Sequence, residues 1–435
     1  MQLSRKPLGG MRQRYPGEFR RERHVVDAIR RAGLSYGFEE FDAPLIEPLD
    51  LFLAKSGSEL AVEQSYNFED RSSRKVILRP ELTPSLARMV AAAGELVWPL
   101  RWMSFPVCFR YERPQRGRDR EFLQFNCDIL GCGELTAELE MFLVLRRIMD
   151  NLGVPAERYR IAWSSRRFAS GCLELAGLES GEELSSAFHL IDRKPKLDPG
   201  DWEAMLAERF PDPARAAAVR EFSGIGSLRD EWVTRLAGDR EFLGEMVRFS
   251  AMLEEAGVES AQFDPGIVRG LDYYTGIVFE LVDTGTGNRR AICGGGRYDD
   301  LVGLFGGRSV TGVGFGLGIL TMTLFLETYG LIPEGIEDLR PALVFMTVYG
   351  PGERQASLDA AEALRRVGIP VEMYLGDRDL SKQFRLAGKL GIPWVAVIGP
   401  DEIGESKVTL KDMTSGDQRT VTLESIPGLL SQGGA

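Results

Sequence analysis

Residues Phe109–Gly131, FRYERPQRGRDREFLQFNCDILG, place five arginines (Arg110, Arg113, Arg116, Arg118 and Arg120) within eleven residues, between two alternating runs. Side chains of a β-strand point to opposite faces in turn. In the run leading into the loop, Met103, Phe105, Val107, Phe109 and Tyr111 share one face, and Cys108, Arg110 and Glu112 share the other. In the run leading out, Leu123, Phe125, Cys127 and Ile129 oppose Gln124, Asn126 and Asp128. The stretch therefore predicts a hairpin with an apolar core face and a polar working face. Its long loop, RPQRGRDRE, carries four of the arginines. Arg110 is expected to approach Gln124 and Asp128 across the strands. Such a face beside a basic loop suits an anionic substrate, because arginine forks match phosphate or carboxylate oxygens. A solvated hairpin with a charged tip has the same pattern, so the neighbouring motifs have to decide.

The chain has 435 residues, more than one ordinary domain holds, so two or three domains are expected. Its net charge of -11 argues against a purely electrostatic nucleic-acid binder; any such contact must come from local basic patches. No run approaches the ~20 apolar residues of a membrane span. The opening MQLSRKPLGGMRQRYPGEF lacks the apolar stretch of a signal peptide, so a cytoplasmic protein is expected. The cysteines (Cys108, Cys127, Cys132, Cys172, Cys293) form no CxxC pair and are expected to be reduced and mostly buried. With only His24 and His189 present, no histidine-rich metal site is expected, and a Ser-His-Asp triad is disfavoured.

Along the chain, Val25, Ile29 and Ala32 recur at helical spacing and predict a helix over residues 18–36. Short strand-like runs follow in FEEFDAPLIEP, SYNFED and KVILRPE, then a helix over Pro84–Ala93, the arginine hairpin, and a helix in TAELEMFLVLRRIMDNLG. Residues 165–258 read as a mostly helical insertion. Strand character returns in GIVRGLDYYTGIVFELVDTG and RAICGGGRYDDLV, and GVGFGLGILTMTLFLETYG reads as helix-like. After Pro333, strands alternate with helices through residues 341–428, predicting a small α/β domain with a largely parallel sheet.

The hairpin has company. LRPELT supplies Glu81 and Thr83, VRGLDYYTG supplies Arg269, Tyr273 and Tyr274, and AICGGGRYDD supplies three glycines and Arg297. The glycine run fits a tight turn or bulge, and equally a backbone that a ligand approaches closely. GVGFGLG lacks the spacing of a dinucleotide fingerprint, and there is no Walker A sequence.

Together these motifs resemble the histidyl-tRNA synthetases, a class II aminoacyl-tRNA synthetase family, over nearly the whole chain. FRYERPQRGRDREFLQFNCDILG is similar to the family's motif 2, RGLDYYTG and GGGRYDDL to its two histidine signatures, and GDRDLSKQFRLAGKLGIPWVAVIG to its anticodon-binding domain. The resemblance implies an α+β catalytic domain, an antiparallel sheet flanked by helices, in two parts (1–164 and 259–332) around the insertion 165–258. The C-terminal α/β anticodon-binding domain would span 341–428. It implies a homodimer that uses Mg2+ and ATP to form histidyl-adenylate and then charges tRNA(His). Glu81, Thr83 and Gln124 would hold the substrate ammonium, and Asp128 with Tyr273 and Tyr274 would complete the histidine pocket. Arg110 and Arg269 would be catalytic, Arg110 on the α-phosphate and Arg269 between it and the carboxylate. Arg118 would join them in binding ATP, and Arg113 and Gln115 would reach the tRNA acceptor end.

One position departs from the pattern. Thr321 stands where the resemblance expects the ATP-contacting arginine of motif 3, and Leu320 where it expects glutamate. Arg308 and Arg297 are the cations offered in its place. The alternative is a synthetase-like regulatory subunit of an ATP phosphoribosyltransferase.

Overall fold

Ten residues after the arginine loop, Glu121–Leu130, form one long strand in which Phe125, Cys127 and Ile129 are buried in the core while Gln124, Asn126 and Asp128 line a cleft. The alternation read from the sequence is thus the alternation of the fold. The computed structural model describes residues 4–53, 64–238, 240–268, 273–285, 287–288, 290–306 and 309–432. The chain divides into two units, Met1–Pro333 and Glu334–Ala435.

The strands of the first unit are β1 (Glu39–Glu40), β2 (Ile46–Pro48), β3 (Tyr66–Glu69), β4 (Lys75–Leu78), β5 (Leu100–Ser104), β6 (Val107–Phe109), β7 (Glu121–Leu130), β8 (Tyr159–Ser165), β9 (Ala261–Phe263), β10 (Ile277–Asp283), β11 (Cys293–Arg297) and β12 (Gly312–Gly318). The main sheet runs β1-β5-β7-β12-β11-β10-β8-β9, with β6 paired to β7 beyond the end of β5. From β5 to β8 every neighbour is antiparallel, giving a six-stranded antiparallel centre of the kind of sheet that the resemblance implies. The edges correct that expectation, because β1 joins β5 and β9 joins β8 in parallel, so the sheet is mixed. β2, β4 and β3 form a separate small sheet.

Helices cover the apolar face. Pro16–Ser35 buries Val25, Val26, Ala28, Ile29 and Ala32, and Thr136–Asn151 buries Met141, Phe142, Val144, Leu145, Ile148 and Met149. They share one core with Phe125, Phe279 and Phe315 of the sheet. The run read as helix-like from Gly312 begins instead as β12. Alternate glycines let its backbone lie flat between β7 and β11, and the helix starts only at Ile319–Thr328. The glycine run Gly294–Gly296 is likewise a regular central strand, neither turn nor bulge. Between β8 and β9 lie helices from Arg166–Leu175 to Glu241–Glu255. Their starts are locally encoded. Ser180 Oγ accepts from Glu183 N at 3.1 Å while the Glu183 carboxylate accepts from Ser180 N at 3.2 Å, and Asp212 and Asp230 cap the helices that follow them.

In the second unit the strands are β13 (Val344–Met346), β14 (Val371–Met373), β15 (Trp394–Val397), β16 (Val408–Asp412) and β17 (Gln418–Val421). β14-β13-β15 are parallel with helices between them, as the alternation predicts. β16 and β17 add an antiparallel extension, so the sheet is mixed rather than largely parallel.

Arg297, at the end of β11, is buried against the helix Thr136–Asn151. It forms a two-pronged ion pair with Glu138, whose side chain is fully buried; the Nη2–Oε2 arm is 2.6 Å long. It also donates to the carbonyls of Cys132 and Glu134. Breaking one side of a buried pair strands the other charge. Replacing Glu138 by Gln is expected to destabilise the chain by about 3–5 kcal/mol, measured by urea denaturation. A loss below about 1 kcal/mol, the range of an exposed pair, would count against this reading.

Candidate active-site cleft

The polar face of β7 opens into a cavity of about 1270 Å³ in the first unit. Its floor exists because β12 carries glycine on the same side. A Cβ on Gly314 would collide with the Asp128 carboxylate, and one on Gly316 would lie 2.6 Å from Gln124 Nε2. Glycine is needed at these two positions for space, so that neighbouring side chains can lie flat over the strand.

At one end of the cleft Tyr298 OH donates to Asp128 Oδ1 at 2.5 Å, while Asp128 Oδ2, also buried, has no hydrogen-bond partner among the described residues. Burial pushes the Asp128 carboxyl up to about 7, and the Tyr298 hydrogen bond pulls the other way. Burial, and then the charge of Asp128, raise the Tyr298 phenol well above its usual value, which keeps it the donor. Tyr273 OH donates to Glu81 Oε2 at 3.2 Å, and its ring packs 4.8 Å from Tyr274 and 6.0 Å from Tyr298. Thr83 opens the helix Thr83–Ala92 beside Glu81 and faces the same cavity. Gln124 Nε2 donates to Asn126 Oδ1 at 2.8 Å. Glu81, Thr83, Gln124, Asp128, Tyr273 and Tyr274 therefore meet in one cleft, although they come from three distant parts of the chain.

The arginines separate by role. Arg110 lines the cleft, with Nε donating to the Pro80 carbonyl at 3.0 Å and the guanidinium 5.2 Å from the Phe122 ring centre. The register corrects the expected cross-strand approach. Arg110 N pairs with Arg120 O, whereas Gln124 N pairs with Pro106 O and Asp128 lies opposite Trp102. Arg110 thus sits farther along the cleft than Gln124 and Asp128. Arg118 also lines the cleft and pairs with Glu112. Arg120 is structural: it lies 4.1 Å from the Tyr111 ring centre and donates to the Gly9 carbonyl at 3.2 Å. Arg113, Gln115 and Arg116 are exposed at the loop tip. Cys108, placed on the polar face by alternation, is fully buried beneath it, and burial pushes its thiol up to about 12.

Arg269 lies outside the described residues, as does Arg308. Arg297, the other cation offered in place of a motif 3 arginine, is committed to its buried pair with Glu138 and does not line the cleft. Thr321 does line it; its Oγ1 donates to the Gly318 carbonyl at 3.0 Å, and its methyl faces the turn at Gly117. Sequence reasoning missed Tyr298, Arg290 and the wall supplied by the helical segment. On that wall, Trp202 carries Lys194 over its ring at 4.9 Å, and Arg220 pairs with Glu203. Only Tyr298 had a local signal, standing directly after the GGGR run.

A mixed sheet with an antiparallel centre and a polar, arginine-walled cleft on one face, plus a separate α/β unit, is the layout of a class II aminoacyl-tRNA synthetase. The comparisons agree. The histidyl-tRNA synthetase family model matches residues 10–322, and the anticodon binding domain model matches residues 347–432. The chain is 35% identical to a histidine–tRNA ligase of Leptospira biflexa serovar Patoc over 429 residues, covering 96% of this chain and 95% of that protein. It superposes on the crystal structure of histidyl-tRNA synthetase from Nostoc sp. PCC 7120 with a TM-score of 0.81 at 26% identity, covering 99% of this chain and all of that one. A Bacillus halodurans structure, described as an ATP phosphoribosyltransferase regulatory subunit/histidyl-tRNA synthetase, shares the fold at 19% identity, with a TM-score of 0.69 over 89% of this chain and 97% of that one. The chain belongs to the histidyl-tRNA synthetase family.

A carboxyl with a raised folded-state pKa binds more protons folded than unfolded. Burying Asp128 therefore costs little below its unfolded value near 3.8 and most above about 7, and stability falls as pH rises between them. Replacing Asp128 by Asn is expected to raise the melting temperature at pH 8, by about 2–4 kcal/mol in stability terms, with the gain shrinking towards pH 4. A gain that does not change with pH would contradict the raised carboxyl.

Proposed function

We propose that the chain is a histidine–tRNA ligase: it activates histidine with ATP to histidyl-adenylate and transfers the histidyl group to the 3′ end of tRNA(His). The observation that carries the reading is Asp128. A carboxylate on the cleft floor, held by Tyr298 through one oxygen and without a partner among the described residues at the other, suits the N–H of an imidazole. A substrate without that donor leaves a buried carboxylate unsatisfied, which is a strong basis for rejection. Tyr274 would complete the imidazole site. Glu81 and Thr83, with Gln124 beside them and Tyr273 bonded to Glu81, would hold the ammonium group.

The substrate carboxylate is already a nucleophile near neutral pH, so little acid-base work is needed. One of its oxygens attacks the α-phosphorus of ATP, and the bond to pyrophosphate breaks. The protein's task is in-line positioning and neutralising charge. Arg110 would hold the α-phosphate from its seat against Pro80 and Phe122, Arg118 would contact ATP farther along, and Arg269 would bridge the carboxylate and the α-phosphate. Mg2+ would enter with ATP on its phosphate oxygens. The described residues bring together no group of three or more His, Cys, Asp or Glu side chains able to hold an ion by themselves. Arg113 and Gln115, exposed at the loop tip, suit the tRNA acceptor end, and the α/β domain over residues 341–428, within the second unit, the anticodon. The helical segment 165–258 is the accessory insertion of a catalytic domain formed by 1–164 and 259–332. A cytoplasmic homodimer completes the reading; no described helix is long and apolar enough to cross a membrane.

Histidine-dependent ATP–pyrophosphate exchange without tRNA tests the chemistry. Exchange specific for histidine is expected, and replacing Arg269 by Ala should lower it at least about a hundredfold. Histidine binding with no exchange would turn the reading towards the synthetase-like regulator. tRNA affinity should fall steeply with added salt, since phosphate contacts release counterions; a flat dependence would count against the basic loop as footprint.

A further inference from the structure

Among the described residues, five arginines line the cleft, and four have protein partners. Arg110 bonds the Pro80 carbonyl, Arg118 pairs with Glu112, Arg160 pairs with Asp264 at 3.1 Å, and Arg220 pairs with Glu203 at 2.7 Å. Arg290 forms no ion pair with the described residues, yet it is part-buried in the cleft wall. Burial first, and then the like charge of Arg118, pull its guanidinium below its usual range, while the Glu112 carboxylate pulls the other way. One carboxylate, Glu112, serves both guanidiniums, so the group keeps a net positive charge that a bound anion would offset.

The described residues on either side of Arg290 are tied to the fold. It belongs to the connection between β10 and β11, whose base is tied down by Asp283. That carboxylate accepts from Tyr329 OH at 2.6 Å, from Gly285 N at 2.7 Å and from Asn288 Nδ2 at 2.8 Å. Thr284 Oγ1 donates to the Glu157 carbonyl at 2.7 Å, and Ile292 N pairs with Leu281 O at 2.8 Å just beyond Arg290. Arg118 follows Gly117, the turn packed on Thr321, and Thr321 lines the same cleft. Gly318 N donates to Ile292 O at 3.2 Å, which sets the chain two residues beyond Arg290 beside the turn into Thr321, so Arg290, Arg118 and Thr321 share one end of the cavity.

We propose that Arg290, together with Arg118, binds the pyrophosphate part of ATP and supplies the positive charge that Thr321 does not. The proposal rests on reading the cleft as an ATP site. It assigns to the β10–β11 connection a contact that the first turn of the helix Ile319–Thr328 has no side chain to make.

Calorimetric titration of the full chain with Mg-ATP, AMP and L-histidine tests it, using the parent, Arg290→Ala and Arg290→Lys. Arg290→Ala should weaken ATP about tenfold or more, the loss of one charge-assisted hydrogen bond, while AMP and histidine bind as to the parent. Arg290→Lys should recover part of the loss, keeping the charge without the fork. ATP affinity unchanged in Arg290→Ala would overturn the assignment and leave the ATP site standing. Equal losses for ATP, AMP and histidine would also overturn it, by showing that Arg290 only supports the fold. A parent that binds histidine but no ATP would overturn both the ATP site and this contact.

Discussion

Burying the Asp128 carboxylate is the constraint around which the first unit is arranged. A carboxylate taken out of water needs partners and room. The partner is Tyr298, presented by the residue after β11, and the room is a glycine at Gly314 on β12. Three strands must therefore be adjacent, in a register that sets Asp128 opposite Gly314. The buried Arg297–Glu138 pair fixes β11 against the helix Thr136–Asn151 one residue before Tyr298, so the structural ion pair also sets the position of the site tyrosine.

The arginines of the motif 2 loop divide by what surrounds them. Arg120 spends its charge on backbone carbonyls and a tyrosine ring, holding the loop to the segment at Gly9 and Gly10. Arg110 and Arg118 face the cleft, one steadied by a carbonyl and a ring, the other by Glu112. Arg113 and Arg116 stay in solvent. One hairpin can in this way serve a small anion in the cleft and a large one outside it, without bringing all five like charges together.

Much of this was legible in the chain. The period-two run Leu123–Ile129 told the core face of β7 from its polar face, because burial on one side of a strand leaves a direct imprint on sequence. The helix Pro16–Ser35 and the parallel part of the second unit were readable for the same reason. The Gly312–Gly318 run was misread although Val313, Phe315 and Leu317 alternate with glycine in the period of a strand, because the apolar helix that follows it dominates the pattern. Cys108 is buried as expected of the cysteines, although it alternates with Arg110, because alternation says which way a side chain points and not how deep that side is covered.

The sequence by itself determined the family and the polar face of β7, and it singled out Glu81, Thr83, Gln124, Asp128, Tyr273 and Tyr274, which the fold brings into one cleft, because each lies in a short motif of distinctive residue types. Tertiary structure alone decided what these residues touch. Arg110 stands opposite Arg120 rather than near Asp128, Arg297 is locked on Glu138, and Arg290 comes beside Arg118 from more than 150 residues away. The physical reason is that strand register and loop closure set distances across the sheet, and neither is written in the spacing of any single segment.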